Sequence, residues 1–402
     1  MDLDLALVAI GGLGVAVVFA SRLIRYLPVT APLLALVLGV VLGPEVLAVA
    51  DLDEGPAILH AVSEVVVAVA LMAVALRFPW SDVRALLGPV GWMVTVGMVA
   101  MASIVAGLAW AVLGVGLGAA VLLGGVLAPT DPVLSSSVVT GDPATRALPH
   151  RVRGLLSVES GINDGLALPL VVAGTVLVLD DGVGRFAVEG LLAAAIAVVL
   201  GAALGTAAGE CFRRLDEAHD IEDSAFFVFT LVLAVAVLGL VNLAHGDGIL
   251  AVYVAGLAYN RQVGSSIYEQ EREVDEGINR VLVLPLFLLL GVLLPWAAWR
   301  DLGWPVVTFT VGVLVLRRLP VVLAMRPLLG LGWSSAAFYG WFGPMGAAAL
   351  FFATLAHEEH AAAEVVWPVT ALVVASSTLV HGATSAPLRM LYERVEGARG
   401  DG

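Results

Sequence analysis

Long apolar runs follow one another along almost the whole chain, separated by short polar loops. Each run is about 17–25 residues long, the length of helix that crosses roughly 30 Å of bilayer hydrocarbon. The pattern predicts an all-α polytopic membrane protein with about 13 transmembrane helices. No loop of more than about twenty residues separates them, so residues 1–402 are expected to form one membrane domain. The predicted spans are 4–24, 29–49, 57–78, 88–113, 117–139, 155–179, 186–209, 223–243, 247–260, 280–298, 303–325, 335–356 and 365–387.

Two of these spans contain residues that interrupt a helix. Span five carries Pro129 and Pro132, and proline removes a backbone donor and clashes with the preceding turn. Span twelve carries the glycine- and proline-rich residues 340–346. The two spans are seven apart, so they fall at matching positions of inverted repeats, about residues 1–180 and 220–390, linked by helix seven. Paired interrupted helices indicate a mid-membrane substrate site in a secondary transporter.

A polar stripe lies inside the apolar run of span six. Glu159 and Asn163 are four positions apart, as are Ser160 and Asp164, so all four share one face of a helix. A carboxylate in the middle of a bilayer costs several kcal/mol, so such residues are functional candidates. We expect a neighbouring element to carry complementary chemistry, and the interrupted span five is the best candidate.

Span five offers two kinds of group to this stripe. Backbone carbonyls freed near Thr130 are hard oxygen donors, which suit Na⁺, Li⁺ or K⁺. The carboxylate of Asp131 either binds the ion or counters the positive end of a half-helix. Asn163 supplies both a donor and an acceptor, so it either orients Asp164 or binds the ion directly. The sequence leaves both alternatives open.

Glu159 is expected to pair with a cation of the protein rather than with substrate. Arg317 and Arg318 lie in the middle of span eleven, and a buried arginine needs a carboxylate partner. Glu64, early in span three, faces water or caps a loop as readily as it lines an ion path. His381 in span thirteen is expected to be a packing histidine with satisfied hydrogen bonds.

Composition and charge agree with a membrane protein and predict its orientation. Of the residues, 60% are hydrophobic and 13% charged, where a soluble chain would have about a quarter charged. The net charge of −14 comes mostly from acids in loops, where water solvates them. Most arginines fall in loops after odd-numbered spans, whereas the opposite loops hold only Arg185 and Arg300. By the positive-inside rule, the N-terminus is outside and the C-terminus is cytoplasmic in a plasma membrane.

Several other classes of protein lack support in the sequence. There is no phosphate-binding loop for nucleotide, no basic patch for nucleic acid, and no cofactor motif. The single Cys211 makes a thiolate metal site unfavourable, and residues 357–360 have the wrong spacing for a zinc-peptidase motif. An intramembrane hydrolase using Asp131 and Asp164 is the alternative from another class, but the paired interrupted helices favour a transporter over an enzyme. An ion channel would need a repeated filter-like segment, and the sequence contains none.

The two polar motifs together resemble a known family. Thr130, Asp131 and Pro132, with residues 159–165, are similar to the motifs of the monovalent cation:proton antiporter-1 family, closest to its bacterial and fungal sodium/proton branch. Residues 246–257 and 340–344 support the resemblance, which covers nearly the whole chain. The resemblance implies a homodimer in the lipid bilayer with crossed, unwound helices five and twelve.

The resemblance also implies a function and roles for residues. It implies exchange of Na⁺, or Li⁺, for H⁺, with K⁺/H⁺ exchange as the alternative of the same fold. The implied roles are ion and proton binding by Asp164, Asp131, Thr130, Ser160 and Asn163, with Na⁺ on Asp164, Thr130 and Ser160, and an ion pair between Glu159 and Arg317. Two departures from many relatives concern the coordination shell: residues 71–76 contain no acid, and Met345 stands where arginine is common.

Overall fold

A computed structural model describes residues 30–50, 55–139, 141–179, 183–218, 223–263, 282–358 and 361–400. All regular structure within these ranges is helical. The first predicted span and residues 359–360 lie outside the described residues. The helices are α1 (Ala31–Leu42), α2 (Gly55–Leu76), α3 (Trp80–Leu113, with π-helical turns at Met93–Gly97 and Ala109–Leu113), α4 (Leu117–Val126), α5 (Pro132–Val139), α6 (Gly141–Ala147), α7 (His150–Leu166), α8 (Leu168–Leu179), α9 (Val183–Ala218), α10 (Asp223–Leu243), α11 (Gly248–Val263), α12 (Leu284–Val292), α13 (Trp296–Leu302), α14 (Trp304–Leu316), α15 (Leu319–Leu329), α16 (Trp333–Trp341), α17 (Ala347–Glu358) and α18 (Ala363–Gly400).

The helices confirm a polytopic membrane protein. In the described part of the chain, six helical segments are long and apolar enough to cross a membrane, two of them being α7 with α8 and α14 with α15. A seventh span results if α12 and α13, which are bent by 60°, count as one. Shorter apolar helices such as α4 and α17 are halves of interrupted spans. The predicted count of thirteen stays a prediction.

Small residues let neighbouring helices approach closely. A Cβ on Gly201 of α9 would lie 2.5 Å from the carbonyl oxygen of Ala251 in α11. One turn later, a Cβ on Gly205 would clash with the backbone of Ala255. Lipid tails are as apolar as leucine, so close backbone packing is a main source of helix association in a membrane. The outer faces of α9 and α10 remain apolar and exposed, as expected of lipid-facing surfaces.

Both predicted interruptions are present, and they meet. Residues 127–131 separate α4 from α5, and residues 342–346 separate α16 from α17. The two stretches are in direct contact, because the N–H of Asp131 donates to the carbonyl of Pro344 at 2.8 Å. Freed backbone groups are tolerated at membrane depth where protein buries them, as here. The prediction of two unwound, contacting helices is confirmed.

A third, shorter interruption separates α14 from α15 at Arg317 and Arg318. Span eleven was expected to run through this point without a break. Pro320 stands at the start of α15 and cannot donate to the preceding turn, which explains why the helix restarts there. Both arginine side chains are buried at this break.

The central helix α7 carries the polar stripe. One side of α7 packs closely on neighbouring helices: a Cβ on Gly161 would clash with the ring of Tyr253, and a Cβ on Gly165 would touch Leu250 at 3.0 Å. These two glycines therefore bring α7 against α11. The polar stripe itself faces the two unwound stretches and the interruption between α14 and α15 at Arg317 and Arg318.

Candidate functional site

The predicted stripe on α7 is entirely buried. Glu159 and Asn163 are 0% exposed, and Ser160 and Asp164 are 2% exposed. Their positions four apart on one helix place them beside the crossing of the unwound stretches, as predicted. Hydrogen bonding separates these four residues. The side chains of Glu159, Ser160 and Asn163 bond to other protein groups, whereas Oδ1 of Asp164 has no partner in the described structure.

Glu159 belongs to an ion pair with Arg318. The guanidinium donates to both carboxylate oxygens, at 2.8 and 2.7 Å, in the bidentate geometry of a strong pair. The hydroxyl of Tyr339 donates to Oε2 at 3.1 Å, and Nδ2 of Asn163 donates to Oε1 at 2.9 Å. Both carboxylate oxygens of Glu159 are therefore satisfied by protein. The prediction that Arg317 is its partner is wrong.

Arg317 has different partners because its side chain turns toward the unwound stretches. One guanidinium nitrogen donates to three successive carbonyls of residues 127–129, at 2.6, 3.1 and 2.9 Å. The other donates to the carbonyl of Gly343. These carbonyls lie past the C-terminal ends of α4 and α16, where helix dipoles concentrate negative charge. Arg317 thus supplies one positive charge to both half-helix ends.

Asp131 supplies a negative charge to the N-terminal ends of the two half-helices α5 and α17. Its Oδ1 accepts the N–H of Leu134 in α5 at 2.9 Å, and its Oδ2 accepts the N–H of Ala347 in α17 at 2.6 Å. A Cβ on Gly346 would clash with this carboxylate, which explains the glycine there. A carboxylate at two helix N-termini is stabilised by both dipoles. The geometry favours the helix-end role of Asp131 over the ion-ligand role.

Thr130, Ser160 and Asn163 join the unwound stretch to α7. The N–H of Thr130 donates to Oδ1 of Asn163 at 3.1 Å, and Nδ2 of Asn163 donates to Oγ1 of Thr130 at 2.8 Å. The hydroxyls of Thr130 and Ser160 are 3.0 Å apart. The amide of Asn163 thus donates to Thr130 and Glu159, and its oxygen already accepts one bond. Its orientation is fixed by the two motifs it connects.

Asp164 stands apart from all of these residues. Its Oδ1 is buried and has no hydrogen-bond partner among the residues that the structure describes. Buried polar atoms nearly always have a partner, and each exception calls for an explanation. Ser160 lies one turn before Asp164 on α7, and its hydroxyl is 3.0 Å from that of Thr130. An acceptor-only carboxylate in this setting can bind a proton or a hard monovalent cation.

The remaining candidates lie outside this group. Glu64 accepts a hydrogen bond from Nδ2 of Asn242 at 2.8 Å, in an exposed setting. His381 is buried and bonded through both ring nitrogens, to Ser377 and to the carbonyl of Trp341. No group of three or more His, Cys, Asp or Glu that could hold a metal is found in the described ranges.

Sequence reasoning missed Tyr339. Its hydroxyl bonds Glu159, and its ring lies 4.7 Å from the Arg318 guanidinium carbon. The only signal was its position just before residues 340–346, in an otherwise apolar half-helix. Ser377, which accepts the N–H of Met345 at 2.9 Å, gave no signal above that of an ordinary small residue.

Known proteins show the same fold and related sequences. The chain superposes on a solved structure of the sodium proton antiporter MjNhaP1 from Methanocaldococcus jannaschii with a TM-score of 0.73, covering 98% of this chain and 100% of that one at 17% identity. It is 30% identical over 375 residues to Na(+)/H(+) antiporter 2 of Zygosaccharomyces rouxii, covering 82% of this chain. It spans only 45% of that relative's length.

A second group of relatives is named for a different cation. The K(+)/H(+) antiporter NhaP2 of Shewanella oneidensis is 26% identical over 265 residues, covering 65% of this chain and 45% of that protein. The family described as "Sodium/hydrogen exchanger, transmembrane" matches residues 10–391, almost the whole chain, which confirms the resemblance seen in the sequence. This chain therefore belongs to the sodium/hydrogen exchanger family of membrane proteins.

Proposed function

We propose that the protein is a secondary antiporter, not an enzyme, that exchanges Na⁺ or Li⁺ for H⁺ across the membrane. The observation that carries this proposal is the buried Asp164 carboxylate, whose Oδ1 has no protein partner in the described structure. The names of the relatives support the same class of transport. Asp164 binds the proton and the cation in turn, and the gradients of the two ions supply the driving force.

The charges around the site explain why either ion can load it. Glu159 is balanced by Arg318, while Arg317 and Asp131 carry opposite charges at the ends of the half-helices. These four charges cancel, so Asp164 is the one uncompensated charge of the group. A proton or a monovalent cation on Asp164 makes the whole site neutral. Since moving an uncompensated charge through a low-dielectric region is costly, the loaded site crosses more readily than the empty one.

In this proposal the cation ligands come from Asp164 and from the hydroxyls of Ser160 and Thr130. When the Thr130 hydroxyl donates to Ser160, each of the two oxygens keeps one lone pair for a cation. Asn163 holds Thr130 in place through both its amide nitrogen and its amide oxygen. Asp131 contributes its charge from the helix ends. Strict one-for-one exchange then follows from competition at one carboxylate, with access alternating between the two sides of the membrane.

The wider setting of the protein follows from the same proposal. Loop arginines place the N-terminus outside and the C-terminus in the cytoplasm of a plasma membrane. The protein works in the lipid bilayer as a homodimer, without nucleotide, nucleic acid or cofactor. K⁺/H⁺ exchange is the second candidate, because a K⁺/H⁺ antiporter is among the relatives.

The test is transport by the purified protein in proteoliposomes with an imposed pH gradient. Na⁺, Li⁺ and K⁺ are added in turn, and dissipation of the gradient is followed with the membrane potential clamped at zero or at a set value. We expect Na⁺ and Li⁺ to dissipate the gradient at a rate independent of the potential. Dissipation by K⁺ alone would establish the second candidate, and the absence of a response to any cation would reject antiport.

A further inference from the structure

Two side chains of α18 reach the unwound stretch between α16 and α17. Oγ of Ser377 accepts the N–H of Met345 at 2.9 Å. Nε2 of His381 lies 3.0 Å from the carbonyl oxygen of Trp341. Both side chains are buried, and both bond to backbone groups that the interruption removes from the helical ladder.

The two side chains also bond to each other. A carbonyl only accepts, so the contact with Trp341 is a hydrogen bond in the tautomer that carries the hydrogen on Nε2 of His381. In that tautomer Nδ1 is the acceptor, and it lies 3.1 Å from Oγ and 2.9 Å from the carbonyl oxygen of Ser377. In that tautomer the bonds run in one direction: Met345 N–H to Ser377 Oγ, Ser377 O–H to His381, and His381 N–H to Trp341. This chain joins both ends of the unwound stretch through α18.

Thr384 of α18 also reaches α16, because its hydroxyl oxygen accepts the indole N–H of Trp341 at 3.1 Å. Two other buried hydroxyls of α18 behave differently. Oγ1 of Thr378 donates to the carbonyl of Val374, and Oγ of Ser385 donates to the carbonyl of Gly382. Both bonds stay within α18, as is usual for hydroxyls in apolar helices. Ser377 and His381 instead bond across to the backbone of another element. Packing of α18 alone does not require those bonds.

The unwound stretch in turn sets the position of the ion-site residues. The carbonyl of Pro344 accepts the N–H of Asp131, and the N–H of Ala347 caps its carboxylate. A Cβ on Gly343 would lie 3.0 Å from the Thr130 side chain, so the backbone of Gly343 packs against that side chain. A shift of residues 342–346 would therefore move Thr130 and Asp131 together.

We propose that Ser377 and His381 are positioning residues for the ion site: they hold residues 341–345 in the one arrangement that places Thr130 for cation binding. This role rests on the proposed function, since it concerns the affinity of the same site. The two side chains act through backbone bonds and touch no ion themselves.

The test compares amide hydrogen exchange and cation affinity in the same purified variants. Ser377→Ala and His381→Leu remove the links, while His381→Gln keeps an N–H that can reach the Trp341 carbonyl. Thr378→Val is the matched control, because it removes a buried α18 hydroxyl that bonds only within its own helix. Exchange is read at residues 342–347 in each protein. Affinity is read as the half-maximal Na⁺ concentration for dissipation of a pH gradient in proteoliposomes.

We expect Ser377→Ala and His381→Leu to speed exchange at residues 342–347 and to raise the half-maximal Na⁺ concentration about tenfold, the effect of one lost buried hydrogen bond. His381→Gln should recover part of both effects, and Thr378→Val should show neither. Faster exchange with an unchanged Na⁺ constant would overturn the positioning role, as would unchanged exchange. A wild-type protein that responds to no cation would reject the proposed function instead, and the exchange data would still decide whether α18 holds the stretch.

Discussion

Glu159 and Asp164 are two carboxylates on one helix with the same burial and opposite surroundings. Glu159 is 0% exposed and accepts bonds from Arg318, Tyr339 and Asn163. Asp164 is 2% exposed, and its Oδ1 has no hydrogen-bond partner among the residues described. Burial therefore does not distinguish the two side chains. The number of protein partners does.

The difference separates a structural charge from a reactive one. A buried carboxylate with bidentate arginine and two further donors has little to gain from a proton or an ion. A buried carboxylate lacking such donors gains much from either, because its charge is otherwise uncompensated. In the motif that contains both residues, Glu159 therefore has a structural role and Asp164 a reactive one.

The largest effect is expected for Asp164→Asn. The substitution keeps the shape of the side chain and removes the titrating carboxylate, so Na⁺-driven proton flux should fall to the background of empty liposomes. Thermal unfolding should change little, because no described hydrogen bond or ion pair of Asp164 is lost. Transport within a few-fold of wild type would refute the competition mechanism. Glu159→Gln, on the same helix, is the comparison variant.

The opposite result is expected for Glu159→Gln. Removing one member of a buried ion pair leaves the Arg318 charge uncompensated, which typically costs about 3–5 kcal/mol. Thermal stability should therefore drop strongly. Adding Arg318→Met should restore part of the loss, since both charges are then absent.

Arg317 provides the control for that pair. Because Arg317 bonds carbonyls of the unwound stretches rather than Glu159, the double variant Glu159→Gln with Arg317→Met should lose the sum of the two single effects. Recovery of stability with Arg317→Met, and none with Arg318→Met, would contradict the pairing in the structure. The comparison is measured by thermal unfolding, in one detergent, of five proteins: the wild type, Glu159→Gln, Arg317→Met, and the two double variants.

Much of this arrangement could be predicted from the sequence. The stripe of Glu159, Ser160, Asn163 and Asp164 follows from helical spacing, and the unwound stretches follow from proline and glycine. Local rules of this kind act over a few residues, so a single sequence contains them. The meeting of Asp131 with Pro344 needed the tertiary structure, although paired interruptions pointed to it.

The choice between Arg317 and Arg318 could not be predicted. Adjacent residues on a regular helix point about 100° apart, so one alone would face Glu159. The break at this point changes both directions, and no rule of spacing applies across it. Tyr339 was missed for a related reason, because its hydroxyl finds Glu159 only after α16 and α7 have packed.

The dependence of Na⁺ affinity on pH tests whether one carboxylate serves both ions. While Asp164 is mostly protonated, each cation must displace one proton, so the half-maximal Na⁺ concentration should rise about tenfold for each unit of pH decrease. At higher pH the dependence should flatten, because the site no longer holds a proton. The half-maximal Na⁺ concentration is measured over roughly pH 5.5 to 8.5. A constant that is flat over that whole range would require separate sites for Na⁺ and H⁺.

The smallest effect should come from Tyr339→Phe, which tests how completely Glu159 is satisfied. Phenylalanine keeps the ring beside Arg318 and removes only the hydroxyl that donates to Oε2 at 3.1 Å. Glu159 retains Arg318 and Asn163, so the loss of stability should be about 0.6–1.5 kcal/mol, the range for one hydrogen bond between membrane helices or in a core. Tyr339→Leu, which also removes the ring, should cost more, and neither variant should change Na⁺ affinity. If Tyr339→Phe weakened Na⁺ binding as strongly as it lowered stability, Glu159 would be part of the reactive site, and the division between the two carboxylates would fail.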